Sequence, residues 1–147
     1  MGSTFYSLHY HVVFSTKERR PLISPAWRSH LHEYLGGTVR GLGGVAEAVG
    51  GVEDHVHLLV SLKTTAAPAD LVRELKKASS VWAAQEHEPL FAWQEGYAIF
   101  SVSWTHVAAV RRYIAGQEEH HRQTVFMDEL KRVLERNGAE YDPRYLV

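Results

Sequence analysis

Apolar and polar positions alternate with a period of two over residues 5–15, where Leu8, Tyr10, Val12 and Phe14 interleave with His9, His11, Val13 and Ser15. That spacing predicts a strand. The period then lengthens. Ser24 before Pro25 predicts a helix start, with Ser as N-cap and Pro as first helical residue, and Trp27, Leu31, Tyr34 and Leu35 mark its buried stripe. Gly36-Gly37 weakens this helix, whose end is expected between 36 and 42. Residues 44–52 and 55–62 predict two strands joined by a tight turn over 50–54. Pro68 opens a second helix in which Leu71, Leu75, Ala78 and Trp82 keep helical spacing, while Arg73, Lys76, Lys77 and Ser80 fall on another side. Gly96 precedes a fourth strand, 97–103, and a third helix is expected from about Thr105. A final helix is expected from about Thr124 to Asn137, with Phe126, Leu130, Val133 and Leu134 as its apolar side and Gly138 as its stop.

The resulting order, βαββαβ followed by two helices, predicts an α+β chain. Two split βαβ units give a ferredoxin-like (RRM-like) antiparallel sheet with helices on one face and additional C-terminal helices. The first and third strands are central in that topology. One domain over residues 1–147 is expected, since a chain of about 150 residues buries roughly 70% of its unfolded surface without staples. Composition narrows the chemistry. The absence of Cys excludes disulfides and thiolate metal ligands. Neither a signal pattern nor an apolar run near the roughly 20 residues of a membrane span is present, so a soluble cytoplasmic protein without membrane contact is expected. A net charge of −1 and a pI near 6.8 argue against coating of duplex DNA by bulk charge. Charge is nevertheless local: Lys17, Arg19 and Arg20; Arg73, Lys76 and Lys77; and Arg111 with Arg112 form clusters that suit either solvated faces or phosphate contacts.

The His pair in Asp54-His55-Val56-His57-Leu58-Leu59-Val60 carries chemistry of its own. On a strand, side chains at i and i+2 share a face, so His55 and His57 stand side by side as half of a metal site. Ten His among 147 residues make a His-x-His roughly once by chance. The chain has three: His9-Tyr10-His11, His30-Leu31-His32 and His55-Val56-His57, of which only the last is flanked by an acidic turn and an apolar strand. Tyr113 and Gln117, four apart, project together from one helix, and at 100° per residue His106 and His120 fall on the same stripe. A metal-binding pair, a phenol and an amide suit cleavage of a phosphodiester by tyrosine, although with seven Tyr any single one is most often structural. Gly116, inside this helix, suits either a close backbone approach or a frayed point.

Five ordered stretches change that weighting: Tyr10-His11-Val12-Val13-Phe14-Ser15-Thr16-Lys17-Glu18-Arg19-Arg20-Pro21; Gly51-Val52-Glu53-Asp54-His55-Val56-His57-Leu58-Leu59; Leu75-Lys76-Lys77-Ala78-Ser79-Ser80; Trp93-Gln94-Glu95-Gly96-Tyr97; and Tyr113-Ile114-Ala115-Gly116-Gln117-Glu118-Glu119-His120-His121. Together they resemble the single-tyrosine HUH transposases of small bacterial insertion sequences, including the REP-associated tyrosine transposases, over nearly the whole chain.

The resemblance implies a nucleophile at Tyr113, and His55, His57 and Gln117 as ligands of a divalent cation, magnesium or manganese. Imidazole itself suits manganese or zinc better than magnesium. It further implies cutting and rejoining of single-stranded DNA through a 5′-phosphotyrosine, with hairpin-bearing element ends as partners. A homodimer with shared active sites is expected, joined at the edge of the fourth strand. Lys17, Arg19, Arg20, Arg73, Lys76 and Lys77 are the expected phosphate contacts, and Trp82, Trp93 and Trp104 suit either base stacking or the core. Three alternatives remain: a related HUH nickase that moves no element; a non-catalytic ferredoxin-like nucleic-acid-binding module, which has no need of His55, His57, Tyr113 and Gln117 together; and a zinc hydrolase, for which no third His or carboxylate stands at a standard spacing.

Overall fold

The computed structural model describes residues 2–121 and 125–142. Strands β1 (His9–Ser15), β2 (Val45–Gly51), β3 (His55–Ser61) and β4 (Ala98–Val102) form one antiparallel sheet in the order β2-β3-β1-β4. The first and third strands are central, as the split βαβ pattern requires, and β2 and β4 are the edges. Helices α1 (Arg28–Gly41) and α2 (Pro68–Glu86) cover one face. Val12, Phe14, Val56, Leu58 and Val60 project from the central strands into that core, meeting Leu31, Leu35, Leu71 and Leu75.

The other face is also covered, contrary to the expected one-sided arrangement. Helix α3 (Val107–Ala115) packs Val107 and Ile114 on Leu59, and α5 (Phe126–Arg136) packs Phe126, Leu130 and Leu134 on Val13 and Phe100. This explains why six consecutive residues of β3, His55 to Val60, are all buried: a strand covered on both faces carries no solvent-facing row. The face that an RNA-recognition sheet leaves open is therefore closed here.

Local signals were read well where propensity and packing agree. Pro68 does open α2, and Gly138, at φ 66°, follows α5. Helix α1 begins later than Ser24-Pro25 predicts. Ser24 caps only a turn, its Oγ accepting from Ala26 N, and the helix proper starts at Arg28. Gly36 stays inside α1, where a Cβ would lie 3.7 Å from that of Ala46 on β2. Thr124, the expected start of the last helix, lies outside the described residues; the helix is described from Phe126.

Two glycines place the second layer. A Cβ on Gly50 would lie 2.5 Å from Ile114 O and 2.9 Å from Ile114 Cγ2, so only glycine lets α3 press onto β2. One on Gly51 would meet His55 O at 2.3 Å, which makes the tight turn into β3 possible. Gly50→Ala is expected to cost about 1–3 kcal/mol, read as a fall of several degrees in the thermal midpoint. An unchanged midpoint would mean that α3 does not sit this close to β2.

Candidate active site

Because β3 is central and its odd positions face α3 and α5, His55 and His57 lie under these helices, 0% and 1% exposed. Each imidazole is held from behind. Asp54, the residue before the strand, lies 2.7 Å from His55 Nδ1 through its Oδ1. His11, on the adjacent strand β1, shares a hydrogen bond of 2.8 Å between its Nε2 and His57 Nδ1. Both rings therefore turn Nε2 inward, the arrangement in which a second layer of partners fixes ligating histidines.

Gln117 reaches the same point from the other side. Helix α3 ends at Gly116 and restarts as the single turn α4 (Gln117–His120), so Tyr113 and Gln117 do not share a continuous helix as expected. Gly116 is that break, and a Cβ there would meet nothing closer than 3.5 Å, so no close approach within the chain requires it. The break preserves convergence: Gln117 Oε1 lies 3.2 Å from His55 Nε2, and its amide nitrogen faces Tyr113 O at 3.5 Å. Tyr113 stands edge-on to His57, with ring centroids 5.6 Å apart, and to His11 at 6.0 Å. Its hydroxyl is buried and, among the described residues, makes no well-aligned hydrogen bond, although the Glu129 carboxylate and the Gln117 amide lie close to it. Burial, reinforced by the nearby Glu129 carboxylate, pushes the phenol well above its usual range. A cleft of about 510 Å³ opens beside Tyr113, bordered by His106, Ser103, Arg136 and Asn137.

The structure thus unites the four residues the sequence singled out and adds others it missed. Glu129, 2% exposed, projects from α5 into the imidazoles: its Oε1 lies 2.9 Å from His57 Nε2 and 3.5 Å from His55 Nε2, and its Oε2 lies 2.9 Å from His121 Nε2. His120 Nε2 also approaches Oε2 to 2.9 Å, without hydrogen-bonding alignment. His11, in the first of the three His-x-His pairs, carries no flanking acidic turn to mark it. Its signal was available, since an i, i+2 His on the other central strand faces the same way. Glu129 had no such signal, being 72 residues from His57 and brought in only by tertiary packing.

The electrostatics divide the cluster. Burial lowers His57 to about 4 despite Glu129, and lowers His11 to about 3 with help from His57. Burial would lower His55 too, but hydrogen bonds to Asp54 and Glu129 outweigh it and raise this group to about 9. Burial disfavours ionised Glu129, yet its hydrogen bonds to His121, His55 and His57 hold the carboxyl well below the usual range. A divalent cation fits this donor set. When neutral His55 donates Nδ1–H to Asp54, its Nε2 lone pair faces the oxygens of Gln117 and Glu129, a gathering of acceptors that either a second proton on His55 or a cation satisfies.

The expected phosphate contacts fall in two places. Lys17, Arg19 and Arg20 form a short 3-10 turn after β1, and Thr16 N donates to Asp54 O, which puts this basic turn beside the acidic turn that leads into His55. Arg73, Lys76 and Lys77 lie on α2, across the sheet from the histidines. Lys76 donates to Gln94 O at 2.6 Å and Gly96 O at 2.8 Å, and Arg73 pairs with Asp70. Among the tryptophans, Trp93 donates to Ser79 and packs on Phe14, and Trp82 stacks on Tyr34, whereas Trp104 is 69% exposed.

Comparison with known proteins places this arrangement. Residues 4–117 match the family model described as transposase IS200 like. The ISDra2 transposase TnpA of Deinococcus radiodurans is 30% identical over 121 residues, covering 78% of this chain and 86% of that protein. The crystal structure of a transposase-like protein from D. radiodurans R1 superposes with a TM-score of 0.64 at 24% identity, over 80% of this chain and 96% of that one. A REP-associated tyrosine transposase bound to a REP hairpin superposes with a TM-score of 0.61 at 14% identity, over 82% and 74% of the two chains, a likeness of fold. Among the described residues no helix is long and apolar enough to cross a membrane. The family match takes in β1 through Gln117, and with it both histidines of β3, Tyr113 and the amide beside it: this chain belongs to the IS200-like transposases.

Proposed function

We propose that this protein cuts and rejoins single-stranded DNA at hairpin-bearing element ends, with Tyr113 as nucleophile and a divalent cation held by His55, His57 and Gln117. The observation that carries this reading is Tyr113: its ring is edge-on to His57 on a different element, and its buried hydroxyl makes no well-aligned hydrogen bond among the described residues. A structural tyrosine buried to this extent normally satisfies its hydroxyl. One left unsatisfied beside convergent imidazoles is a group awaiting a substrate. In the cleavage step its oxygen bonds to phosphorus, the bond from phosphorus to the 3′ oxygen breaks, and the strand departs as a 3′-hydroxyl. The 5′-phosphotyrosine retains the phosphodiester for rejoining, which is the reverse step. The cation would polarise the scissile phosphate and stabilise charge on its oxygens.

The likeness to a hairpin-bound transposase supports the hairpin substrate. The edge position of β4 among the described residues supports a homodimer, in which each copy keeps its own Tyr113 beside its own His57. The deciding experiment incubates the protein with single-stranded DNA from the flanks of its own gene and manganese. A protein–DNA product that survives denaturation is expected; its absence with every flank would overturn the reading.

The phosphate contacts have their own test. Lys17→Ala with Arg20→Ala, and separately Arg73→Ala with Lys77→Ala, are each expected to flatten the logarithmic salt dependence of binding by up to about 1.4, at roughly 0.7 of a counterion per contact on a single strand. A slope that stays at the wild-type value places the strand elsewhere for that cluster.

A further inference from the structure

Glu129 has no place in the reading above, which takes its ligands from β3 and α4. It nevertheless stands at their meeting point. Of its two oxygens, one lies 2.9 Å from His57 Nε2 and 3.5 Å from His55 Nε2, and the other lies 2.9 Å from His121 Nε2. Gln117 Oε1 lies 3.2 Å from His55 Nε2. One donor atom from each of His55, His121 and Glu129 lies within 4.8 Å of the others. Two donors bound to one ion at about 2.1 Å are about 3.0 Å apart at right angles and about 3.4 Å apart in a tetrahedron. The 2.9–3.5 Å separations fall in that range, which N–H···O hydrogen bonds also span, so the same atoms can close on an ion with little movement.

The geometry points to Glu129 as a carboxylate ligand of the divalent cation, joined by His121, so that the ion bridges β3 to α5 and fastens that helix over the sheet. This rests on the proposed metal reading and adds to it. When neutral His55 donates Nδ1–H to Asp54, the inward atoms of His55, Gln117 and Glu129 are all acceptors. The buried Glu129 carboxylate is satisfied by imidazole N–H groups without an ion, and a cation would satisfy it in their place. Helix α5 is also held by Phe126, Leu130 and Leu134, and Phe126 stacks on His55 itself at 4.2 Å. Packing thus delivers the carboxylate to the histidines. A set of three imidazoles, an amide and a carboxylate suits manganese better than an all-imidazole set would.

The test is calorimetric titration of the full chain with Mn²⁺ in the absence of DNA, for wild type, Glu129→Gln, Glu129→Asp and His55→Ala. Wild type is expected to take up one ion. Glu129→Gln should bind at least about tenfold more weakly, with Glu129→Asp in between, because loss even of a supporting contact costs 10–100-fold in affinity. Amide exchange across residues 126–136 should slow on Mn²⁺ addition in wild type and not in Glu129→Gln. Thermal denaturation in chelator checks that each variant folds. If Glu129→Gln has no folding transition, Glu129→Asp decides: weaker binding supports the ligand role and unchanged binding overturns it. Wild-type affinity in a folded Glu129→Gln overturns the inference alone. Wild-type affinity in His55→Ala, or no uptake by wild type, overturns the metal reading on which it rests.

Discussion

Tyr113→Phe is expected to abolish strand cleavage and the denaturation-resistant adduct, by more than about a thousandfold, with DNA binding close to wild type. Removing the nucleophile from a covalent mechanism leaves only the residual effect of binding and positioning. The change should be structurally mild. Among the described residues the hydroxyl has no well-aligned hydrogen bond to lose, while the ring keeps its edge contacts with His57, His11 and His120. Burying a phenol with an unsatisfied oxygen costs free energy, so the Phe variant should be at least as stable as wild type. That pairing of outcomes distinguishes a reacting group from a packing one: activity vanishes while the thermal midpoint holds or rises. An adduct that persists in the Phe variant would assign the attack to another of the seven tyrosines.

How much of this was legible in the sequence follows from how far each signal reaches along the chain. The His55–His57 face needs only the two-residue period of a strand, and the central position of that strand follows from the order of elements. Tyr113 and Gln117 were placed on one side by helical spacing; the break at Gly116 was not foreseen, yet α4 restores the same side. What failed was non-local. Nothing in the period of residues 126–136 says that its polar Glu129 is buried, because the apolar stripe of Phe126, Leu130 and Leu134 is complete without it. The stripe predicts a docked helix but not the face on which it docks. With α3 and α5 both assigned to a periphery, the expected sheet kept one side open, and a carboxylate facing two histidines could not be anticipated. Lys76 is similar: a basic residue on a polar helix side reads as solvated, but its ammonium holds the backbone of residues 94 and 96.

His57→Ala should eliminate metal-dependent cleavage, as chelator should for wild type, and it should also cost stability. Its ring is 1% exposed and bonded on both sides, to His11 and Glu129. Removing it strands His11 Nε2, at about 1–3 kcal/mol, and takes one of the imidazole contacts from Glu129, so the variant should be assayed below its own thermal midpoint. With both single variants in hand, mixing Tyr113→Phe with His57→Ala asks which chain supplies the tyrosine. In a homodimer with shared centres, one of the two heterodimer sites regains both groups and cleavage returns. Within this chain, however, Tyr113 already meets its own His57, and Gln117 its own His55. Ile114, one residue on, is clamped against Gly50 of the same sheet. Sharing would require α3 and α4 to leave that seat, exposing the Leu59–Val107–Ile114 cluster. The expected result is therefore a mixture that stays inactive even when subunit exchange is verified with differently tagged chains. Cleavage restored to about a quarter of the wild-type site count, one intact site in each of the heterodimers that make up half of an equally mixed population, would instead show that the tyrosine segment crosses between copies, and that the seat beside Gly50 is filled by the partner's helix.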